Sequence, residues 1–439
     1  MTKQLLGKYK LVLGLEIHMH VKTVQKMFCG CDANFYNAEA NTYTCPTCLG
    51  LPGALPVPNL EAIKKTQLFG LALGCSLNKN TKFDRKHYFY PDLPKGYQIS
   101  QYQEPLCGEG RLELSSGRFA EIERLHLEED TAKSFHAGDK TLVDFNKSGV
   151  PLMELVTKPC FTTVEDAVDF CKKIRDLVRF LNIGDADMEK GQLRIEPNIS
   201  LRTAEMEEAG DLPKYKVEIK NINSFKFMEK AVRAEIKRQR KLLETGETPV
   251  QENRGYDEYS KTTVPQRTKE EASDYRYFPE PDIPPMVFDE KYFAKLKAQL
   301  PELPAEKCTR YITELGLDIP VAEALTSAPV ISWLEKFETL VNSGADPALV
   351  ANLLINKPEF RGLSDEEFLS KVADMQDRVD DVGALEPVIE KVLAANPDVV
   401  ESYKSGKVSV LEFLVGQVMR DTKGKADAGV VRELLRKGL

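Results

Sequence analysis

The chain has 439 residues, of which 42% are apolar and 29% charged, and its net charge at pH 7 is -8. This length exceeds what one hydrophobic core usually supports, and the composition excludes disordered and fibrous classes. The net negative charge argues against a protein that is basic over its whole surface and binds nucleic acid non-specifically. The sequence has neither a long apolar run nor a signal peptide, so we expect a cytoplasmic protein with no membrane segment.

Up to about residue 288, short β-type runs are mixed with helical stretches. The runs cover residues 10–13, 120–125 and 216–220, and the clearest helices are predicted at 164–181 and 228–243. The first of these helices repeats apolar residues at three- and four-residue steps, which is typical of a helix that covers a sheet. Strands and helices do not alternate strictly, so we predict an α+β fold with a large mixed or antiparallel, cradle-like sheet.

Four prolines within residues 278–285 break the pattern and place a domain boundary near residue 293. Beyond it the signals are helical, with helices predicted at 292–300, 304–315, 320–339, 347–355, 365–379, 385–395 and 408–420. We therefore predict three domains: an α+β domain over 1–293, a helical domain over 294–386 and a small helical tail over 387–439.

Two cysteine pairs lie 13 residues apart, namely Cys29 with Cys31 and Cys45 with Cys48. Two such pairs supply the four sulfurs of a tetrahedral zinc site, which would be structural because protein ligands fill every position. The alternatives are four unliganded thiols or a redox pair.

Acidic residues and a histidine recur on predicted strands. Glu16 and His18 are two residues apart and therefore point to one face, His126–Asp130 forms an acidic cluster, and Glu218 lies in a third strand. Together these side chains suit magnesium, which prefers oxygen ligands, whereas each alone is more often a solvated strand residue. Within the cluster, a regular strand puts Glu128 and Glu129 on opposite faces.

Residues 84–98 combine cations with tyrosines and turn residues. Arg85, Lys86 and Lys95 could bind phosphate while the tyrosines stack on a base. The alternative is an aromatic surface loop packed on the core. Residues 274–282 repeat this chemistry, and residues 220–225 add amides. The chain has no P-loop, nucleophile elbow, kinase loop or dinucleotide fingerprint.

These motifs resemble the GatB family, the B subunits of the aspartyl/glutamyl-tRNA amidotransferases. The resemblance runs through nearly all of residues 9–290 and resumes over about 388–439. Residues 330–385 match the family poorly, the chain is shorter than usual, and the run from Arg194 to Asn198 differs from the family pattern.

The resemblance implies a ligase that uses ATP, magnesium and structural zinc. ATP would phosphorylate the side-chain carboxylate of Glu on tRNA-Gln, or of Asp on tRNA-Asn, and ammonia would then displace phosphate. Carried over by motif, the catalytic and magnesium-binding residues are Glu16, His18, Glu128, Glu129 and Glu218, with Glu128 and Glu129 as alternatives for one position. The residues expected to bind ATP or substrate are Arg85, Lys86, Tyr88, Lys95, Tyr97, Arg194, Lys220, Asn221, Asn223, Tyr275 and Arg276.

The resemblance also implies partners. A separate amidase-type glutaminase would supply the ammonia, a third, small protein of the amidotransferase would bridge the two, and the helical tail would contact the misacylated tRNA. The lysines expected to contact tRNA phosphates are Lys404, Lys407, Lys423 and Lys425, and the alternative is a solvated charged surface. Two rival functions remain, an inert protein for tRNA binding or assembly and a zinc-containing ligase acting on a free amino acid.

Overall fold

A computed structural model of the chain describes residues 5–220, 222–268, 275–327, 330–376, 382–405, 410–422, 426 and 428–439. The chain forms two compact units, one comprising Met1–Thr309 with Ser327–Ser332 and the other Arg310–Thr326 with Trp333–Leu439. The predicted α+β class is confirmed, because the first unit is built on a large sheet and the second is helical. The three-domain division stays a prediction.

The first unit is organised around an eight-stranded sheet, called the main sheet below. All neighbouring strands are antiparallel except β11 (Val217–Lys220) and β12 (Glu252–Asp257), so the sheet is mixed as predicted. In sheet order its strands are β13 (Thr262–Thr268), β12 (Glu252–Asp257), β11 (Val217–Lys220), β10 (Leu193–Arg202), β1 (Lys10–His20), β9 (Pro151–Thr157), β6 (Phe119–Glu129) and β5 (Gly110–Glu113).

Three small sheets flank the main sheet. They comprise β14 (Phe278–Pro279) with β3 (Asp84–His87) and β4 (Tyr97–Ser100), β15 (Met286–Val287) with β2 (Asn80–Thr81), and β7 (Lys133–Ala137) with β8 (Lys140–Asp144). The first of them joins residues 84–100 to residues 278–279, so two segments that are far apart in the chain share one sheet.

The central strand β1 has one apolar and one polar face, because successive side chains of a strand point to opposite sides. Leu15, Ile17 and Met19 are at most 1% exposed, whereas Glu16 and His18 are partly exposed on the other side. Three helices cover the apolar face, namely α1 (Leu60–Ala72), α2 (Val164–Phe180) and α4 (Phe225–Glu244), and a short α3 (Ala204–Ala209) follows β10. The opposite side, called the polar face below, remains available for chemistry.

Sequence signals explain why α2 and α4 begin where they do. The Thr163 side chain accepts a hydrogen bond from the Asp166 N–H, and the Ser224 side chain accepts one from the Phe227 N–H. Such N-caps satisfy backbone donors that have no partner within the helix. Both helices then turn their apolar stripes, including Phe170 in α2, into the core of the first unit.

The remaining helices lie between residues 290 and 438. They are α5 (Glu290–Lys297), α6 (Pro304–Thr313), α7 (Ile319–Leu325), α8 (Leu334–Asn342), α9 (Pro347–Asn356), α10 (Pro358–Arg361), α11 (Asp365–Gln376), α12 (Val382–Ala395), α13 (Pro397–Lys404), α14 (Leu411–Asp421) and α15 (Ala428–Gly438). None of the helices in the described part of the chain is long and apolar enough to cross a bilayer.

One helix prediction is wrong. The single helix expected over 320–339 is two helices, since α7 stops at the Thr326 cap and α8 begins at Leu334 after a 3-10 turn at Ile331–Trp333. The sequence between them contains Pro329, and a proline has no N–H to continue a helix. In this part of the chain helices α10, α13 and α15 were not predicted.

The tail helices share a hydrophobic core of their own. Leu385 and Ile389 of α12 pack with Leu414 and Val418 of α14 and with Leu435 of α15. Each of these side chains is at least 96% buried, so α12, α14 and α15 are held together by apolar packing.

Candidate active site on the polar face of the main sheet

Two groups of three potential metal ligands lie on the polar face. Within each group the ligand atoms are all within 4.8 Å of one another; the groups are His18, Glu128 and Glu154, called the histidine group below, and Glu16, Glu196 and Glu218, called the carboxylate group. The sequence predicted one magnesium site from these strands, and the geometry instead separates its residues into two groups that start from Glu16 and His18 of β1.

Strand register assembles the histidine group. His18 on β1 lies opposite Glu154 on β9, and the His18 Nε2 is 3.2 Å from the Glu154 Oε2. Glu128 on β6 completes the group, with its Oε1 3.8 Å from the same nitrogen and its Oε2 accepting a hydrogen bond from the Ser100 hydroxyl. His126, which also faces Glu154, stands 3.4 Å from that carboxylate.

Register also assembles the carboxylate group on the other side of β1. Glu16 lies opposite Glu196 on β10, and Asn198 on β10 lies opposite Glu218 on β11. The Asn198 amide donates to Glu16 over 3.0 Å. The Lys220 ammonium bridges the group, at 2.7 Å from Glu196 and 3.0 Å from Glu218.

The electrostatics of both groups indicate a shortage of positive charge. Burial alone would lower the pKa of His18, but Glu154, Glu128 and Glu196 raise it to about 9. Burial and the Glu154 carboxylate raise the pKa of Glu128, and burial likewise raises the pKa of Glu218 although Lys220 opposes it. In the same groups burial would raise the pKa of Glu154 and that of Glu196, but His126 and His18 lower the first and Lys220 and His18 lower the second. Buried like charges repel one another, and a metal ion would supply further compensating charge.

The four cysteines predicted to bind zinc converge in the loop after β1. The sulfurs of Cys29, Cys31, Cys45 and Cys48 all lie within 4.8 Å of one another, and all nine cysteines of the chain are free thiols. The hydrogen bond with Cys29 lowers the pKa of Cys48 to about 4, with further help from the Cys45 N–H and the Lys26 ammonium, although burial opposes the shift.

A buried lysine lies against this cysteine cluster. Lys26 is only 1% exposed, and its ammonium lies 2.7 Å from the Tyr43 carbonyl and 3.7 Å from the Cys48 sulfur. The Lys26 backbone N–H also donates to the Cys31 carbonyl, within the first cysteine turn. A buried positive charge beside four thiols is the complement that an anionic thiolate centre requires.

The structure does not bring Glu129 into either group. Its side chain leaves β6 on the side away from Glu128, where the carboxylate accepts from the Lys95 ammonium and, over 2.9 Å, from the Ile99 N–H. Lys95 is in turn held against Gly50 of the cysteine loop, where an added Cβ would lie 2.3 Å from the Lys95 Cγ. Glu129 and Lys95 therefore form a buried ion pair beside the cysteine loop.

Three further residues expected to bind ATP or substrate have partners outside the two groups, namely Arg85, Tyr97 and Arg194. Arg85 makes two hydrogen bonds to Glu280, of 2.7 and 2.8 Å, and its guanidinium lies 4.3 Å from the centre of the Tyr97 ring. Arg194 lies on the polar face but pairs with buried Asp130, at 3.2 Å. These contacts join distant segments of the chain, and the cations that pair with the two groups are therefore other residues or ions.

Lys86, Tyr88 and Tyr275 do lie near the histidine group. Burial would lower the pKa of Lys86, but Glu128 and other neighbouring acids raise it, which puts its ammonium within electrostatic reach of that carboxylate. The same ammonium lies 4.9 Å from the centre of the Tyr275 ring, and Tyr88 packs edge-on against Tyr275. One cation surrounded by aromatic rings thus borders the site.

Within the described part of the chain, no contact links the other predicted residues to the two groups. Asn223 and Arg276 are exposed, and Lys404 is the exposed last residue of α13. Four predicted residues lie outside the described ranges, namely Asn221, Lys407, Lys423 and Lys425.

Sequence reasoning missed Glu154 and Glu196 as members of the site, and it named His126 within the acidic cluster without giving it a role of its own. Glu154 is the one charged residue in the otherwise apolar or hydroxyl-bearing strand β9, and a carboxylate in such a buried run is a signal for a paired or metal-binding role. Glu196 alternates with Arg194 and Asn198 along β10, which is the pattern of a polar strand face.

Comparison with known proteins gives matches along most of the chain. Residues 11–294 match the family model of the GatB/GatE catalytic domain, and residues 370–439 match a model described as the GatB domain. The B subunit of the aspartyl/glutamyl-tRNA(Asn/Gln) amidotransferase from Thermus thermophilus is 43% identical over 98% of this chain and 99% of its own length. The proteins of the same name from Roseiflexus sp. RS-1 and Thermodesulfovibrio yellowstonii are 41% and 42% identical, again over 98% of this chain and over 98% and 99% of their own lengths.

The lengths of the alignments show that this chain differs from its relatives in size. The alignments with the Thermus and Roseiflexus proteins extend over 472 and 485 positions, which is more than the 439 residues of the chain, so the relatives carry residues that this chain lacks. Residues 295–369 match neither family model.

Proposed function

The chain belongs to the GatB/GatE family, and from this premise we propose that it is the component of a tRNA-dependent amidotransferase that converts Glu-tRNA(Gln), Asp-tRNA(Asn) or both into the amides. The observation that supports the proposal best is the pair of ligand groups on the polar face. They gather five carboxylates and one imidazole from five strands at one place.

The chemistry requires two steps. A carboxylate is a poor acceptor for ammonia until one of its oxygens becomes part of a leaving group. The side-chain oxygen of the charged amino acid therefore attacks the γ-phosphorus of ATP, ADP departs, and an acyl phosphate forms. Ammonia then attacks the acyl carbon, the carbon–oxygen bond breaks, and inorganic phosphate leaves with the electron pair.

The donor set of the two groups fits magnesium. Carboxylate oxygens are the ligands that magnesium prefers, and two groups of three leave positions open for water and phosphate oxygens. We assign Glu16, Glu196 and Glu218 to one ion and His18, Glu128 and Glu154 to another. When bound, magnesium would neutralise negative charge on the phosphoryl group during transfer.

Residues of the chain itself orient the reactants. Lys220, which bridges Glu196 and Glu218, can exchange a carboxylate partner for a phosphate oxygen without leaving the site. Lys86 lies beside the histidine group within its aromatic border, where it can pair with the substrate carboxylate or the acyl phosphate. The rings of Tyr88 and Tyr275 lie against the Lys86 ammonium and would border the acyl phosphate.

The cysteine cluster fits structural zinc. Four sulfurs close together match a tetrahedral ion that needs no further ligand, so the centre would hold the loop after β1 and take no part in the reaction. Lys26 supplies positive charge to that centre.

The proposal includes partners that the names of the relatives imply in general form. Those names describe one component of an enzyme with several subunits. We infer a separate glutaminase as the ammonia source and a small bridging protein as the third component. The helical tail would contact the tRNA, and because translation occurs there the complex would work in the cytoplasm.

The test is to co-express the chain with a candidate glutaminase and a candidate bridging protein, and to supply radiolabelled Glu-tRNA(Gln) or Asp-tRNA(Asn) with ATP and glutamine. We expect labelled amide from the parent, none from Glu16→Ala or Glu218→Ala, and full activity from Glu208→Ala, which changes an exposed residue of α3. Glutamine hydrolysis should persist in all variants. Full amide formation by both site variants would disprove the assignment.

A further inference from the structure

His126 on β6 belongs to neither group of three, yet it lies in the same row of the main sheet as two members of the histidine group. The strand register pairs His18 on β1 with Glu154 on β9, and it pairs Glu154 with His126. The row therefore runs from imidazole to carboxylate to imidazole across three neighbouring strands, with all three side chains on the polar face. Glu154 is 6% exposed and His126 is 3% exposed, so the contact between them is made away from water.

Both imidazoles approach one oxygen of that carboxylate. The His18 Nε2 is 3.2 Å from the Glu154 Oε2, and the His126 Nε2 is 3.4 Å from the same oxygen. A carboxylate that is buried in this way is costly unless cations or hydrogen-bond donors surround it. The two histidines therefore compensate Glu154 together, one from each flanking strand.

A metal ion in the histidine group would give the two histidines different roles. The His18 Nε2 lies 3.2 Å from Glu154 and 3.8 Å from Glu128, so it is the nitrogen that an ion shared with these carboxylates would take. A nitrogen that binds a metal through its lone pair carries no proton, and His18 could then no longer donate to Glu154. His126 lies outside the group, so its nitrogen would keep that capacity.

The surroundings of His126 determine which of its nitrogens carries the proton. Its Nδ1 is buried and has no hydrogen-bond partner among the described residues, whereas its Nε2 faces the Glu154 carboxylate. A neutral imidazole has one donor nitrogen and one acceptor nitrogen. A proton on Nδ1 would leave a buried donor without an acceptor and would turn the lone pair of Nε2 toward a carboxylate oxygen, so the proton belongs on Nε2.

We propose that His126 is a positioning residue for the ion of the histidine group, because its Nε2–H holds the Glu154 carboxylate in place while His18 serves as a ligand. The proposal rests on the function proposed above and adds to it a residue that does not itself contact the ion. Strands β6 and β9 pair without interruption from Arg124 to Glu129, so the imidazole is carried by a rigid element. Loss of a residue that orients a ligating side chain typically lowers metal affinity about 10- to 100-fold.

The experiment compares three variants at this position in the full chain. His126→Gln carries its amide nitrogen near the position of Nε2, His126→Asn carries it near the position of Nδ1 and stops short of Glu154, and His126→Leu has no donor. The control is His136→Leu, which changes an exposed histidine of β7. Folding is checked by circular dichroism. If His126→Leu does not fold, the two amides still decide the question, since both are polar and they differ in reach.

Ion binding is measured with Mn²⁺, which takes the same oxygen and imidazole ligands and whose electron paramagnetic resonance signal falls on binding. We expect His126→Asn and His126→Leu to bind the ion of the histidine group about 10- to 100-fold more weakly, and His126→Gln and the control to stay within about threefold of the parent. A Glu16→Ala background should show the same loss, because that change affects only the carboxylate group.

A second readout uses the complex with its partners. The Mg²⁺ concentration that gives half the maximal rate of amide formation should rise about 10- to 100-fold in His126→Asn, while the rate at saturating Mg²⁺ stays close to that of the parent. Unchanged Mn²⁺ affinity in His126→Asn, or the same loss of affinity in His126→Gln, would overturn the proposal. Its failure is distinguishable from failure of the proposed function, which would appear as no ATP-dependent amide formation by the parent complex.

Discussion

Adjacent glutamates at the end of β6 should respond oppositely to the same substitution. Glu128 faces His18 and Glu154, whereas Glu129 faces Lys95 on the other side of the strand. Replacing each by glutamine keeps the size and removes one charge. The pair therefore separates a metal-binding role from a structural one with minimal change of shape.

The magnitudes follow from the contacts. In Glu129→Gln the Lys95 ammonium, only 10% exposed, loses its carboxylate, and leaving a buried charge unpaired costs about 3–5 kcal/mol. For a unit of this size, with an unfolding entropy of about 0.7 kcal/mol/K, that lowers the melting temperature by roughly 5–8 °C. In Glu128→Gln the loss of attraction to Lys86 and His18 is offset by relief of repulsion from Glu154 and of the burial of a charge, so the unfolding free energy should change by less than about 1 kcal/mol.

The rate of amide formation should respond in the reverse order, with the larger loss in Glu128→Gln. Removing a ligand of the histidine group should lower the rate of ATP-dependent amide formation by about 100-fold or more, since metal charge stabilisation is worth several kcal/mol. Glu129→Gln, assayed well below its melting temperature, should retain most of that rate. The assays are thermal unfolding followed by circular dichroism and amide formation by the complex. A stable but inactive Glu129→Gln protein beside an active Glu128→Gln protein would refute the assignment.

Three other predictions concern the cysteine cluster, the proposed magnesium ions and the tail. Lys26→Met should weaken zinc binding about 10- to 100-fold in competition with a chromophoric chelator, because the thiolates lose a buried positive neighbour. The control Lys22→Met, which changes an exposed lysine, should bind zinc as the parent does. Equal zinc binding by the two variants would exclude a role for Lys26 at the cysteine cluster. Magnesium-free protein should show a higher melting temperature on titration with Mg²⁺, and this gain should be smaller in Glu16→Ala, which keeps only the histidine group intact. A gain of the same size in that variant would place the ion outside the carboxylate group. Deletion of residues 382–439 removes a self-contained core, so the first unit should stay folded by circular dichroism. The deletion should weaken tRNA binding at moderate salt, as measured by filter binding. Unchanged affinity would show that the tail is not part of the tRNA site.

The side-chain alternation of strands accounts for what the sequence could predict about the site. The two-residue period places Glu16 and His18 on one face, and the same period places Glu128 with His126, both of which the structure has. The α+β class followed from the irregular order of strands and helices. Local patterns thus define which face of each strand is polar.

Sheet order and register are not contained in those patterns. His18 meets Glu154 because β9 lies beside β1, and Glu16 meets Glu196 because β10 lies on the other side. The residues that pair across these strands are separated by more than 130 residues in the chain, so their pairing depends on the whole fold. This is why one predicted site became two groups.

Charged residues that look free in a sequence can also have distant partners. Arg85 was expected to bind phosphate, but its two hydrogen bonds go to Glu280, which lies 195 residues away. The split of the predicted helix over 320–339 has a local signal instead, because the sequence between its two parts contains Pro329. An ion pair between distant residues therefore cannot be predicted from local sequence, whereas a helix break at a proline can.

The cysteine loop, although outside the two groups, is connected to them by a short chain of contacts. Gly50, with φ +67°, lies against Lys95, Lys95 pairs with Glu129, and Glu129 is the neighbour of Glu128 on β6. On the other side, the Met27 N–H donates to the Gly149 carbonyl just before β9, the strand that carries Glu154. The loop thus contacts the chain just before β9 directly and reaches the end of β6 through Lys95. A metal ion that rigidifies this loop would fix the spacing of the Glu128 and Glu154 carboxylates, which explains how a centre without an open coordination position can serve the reaction.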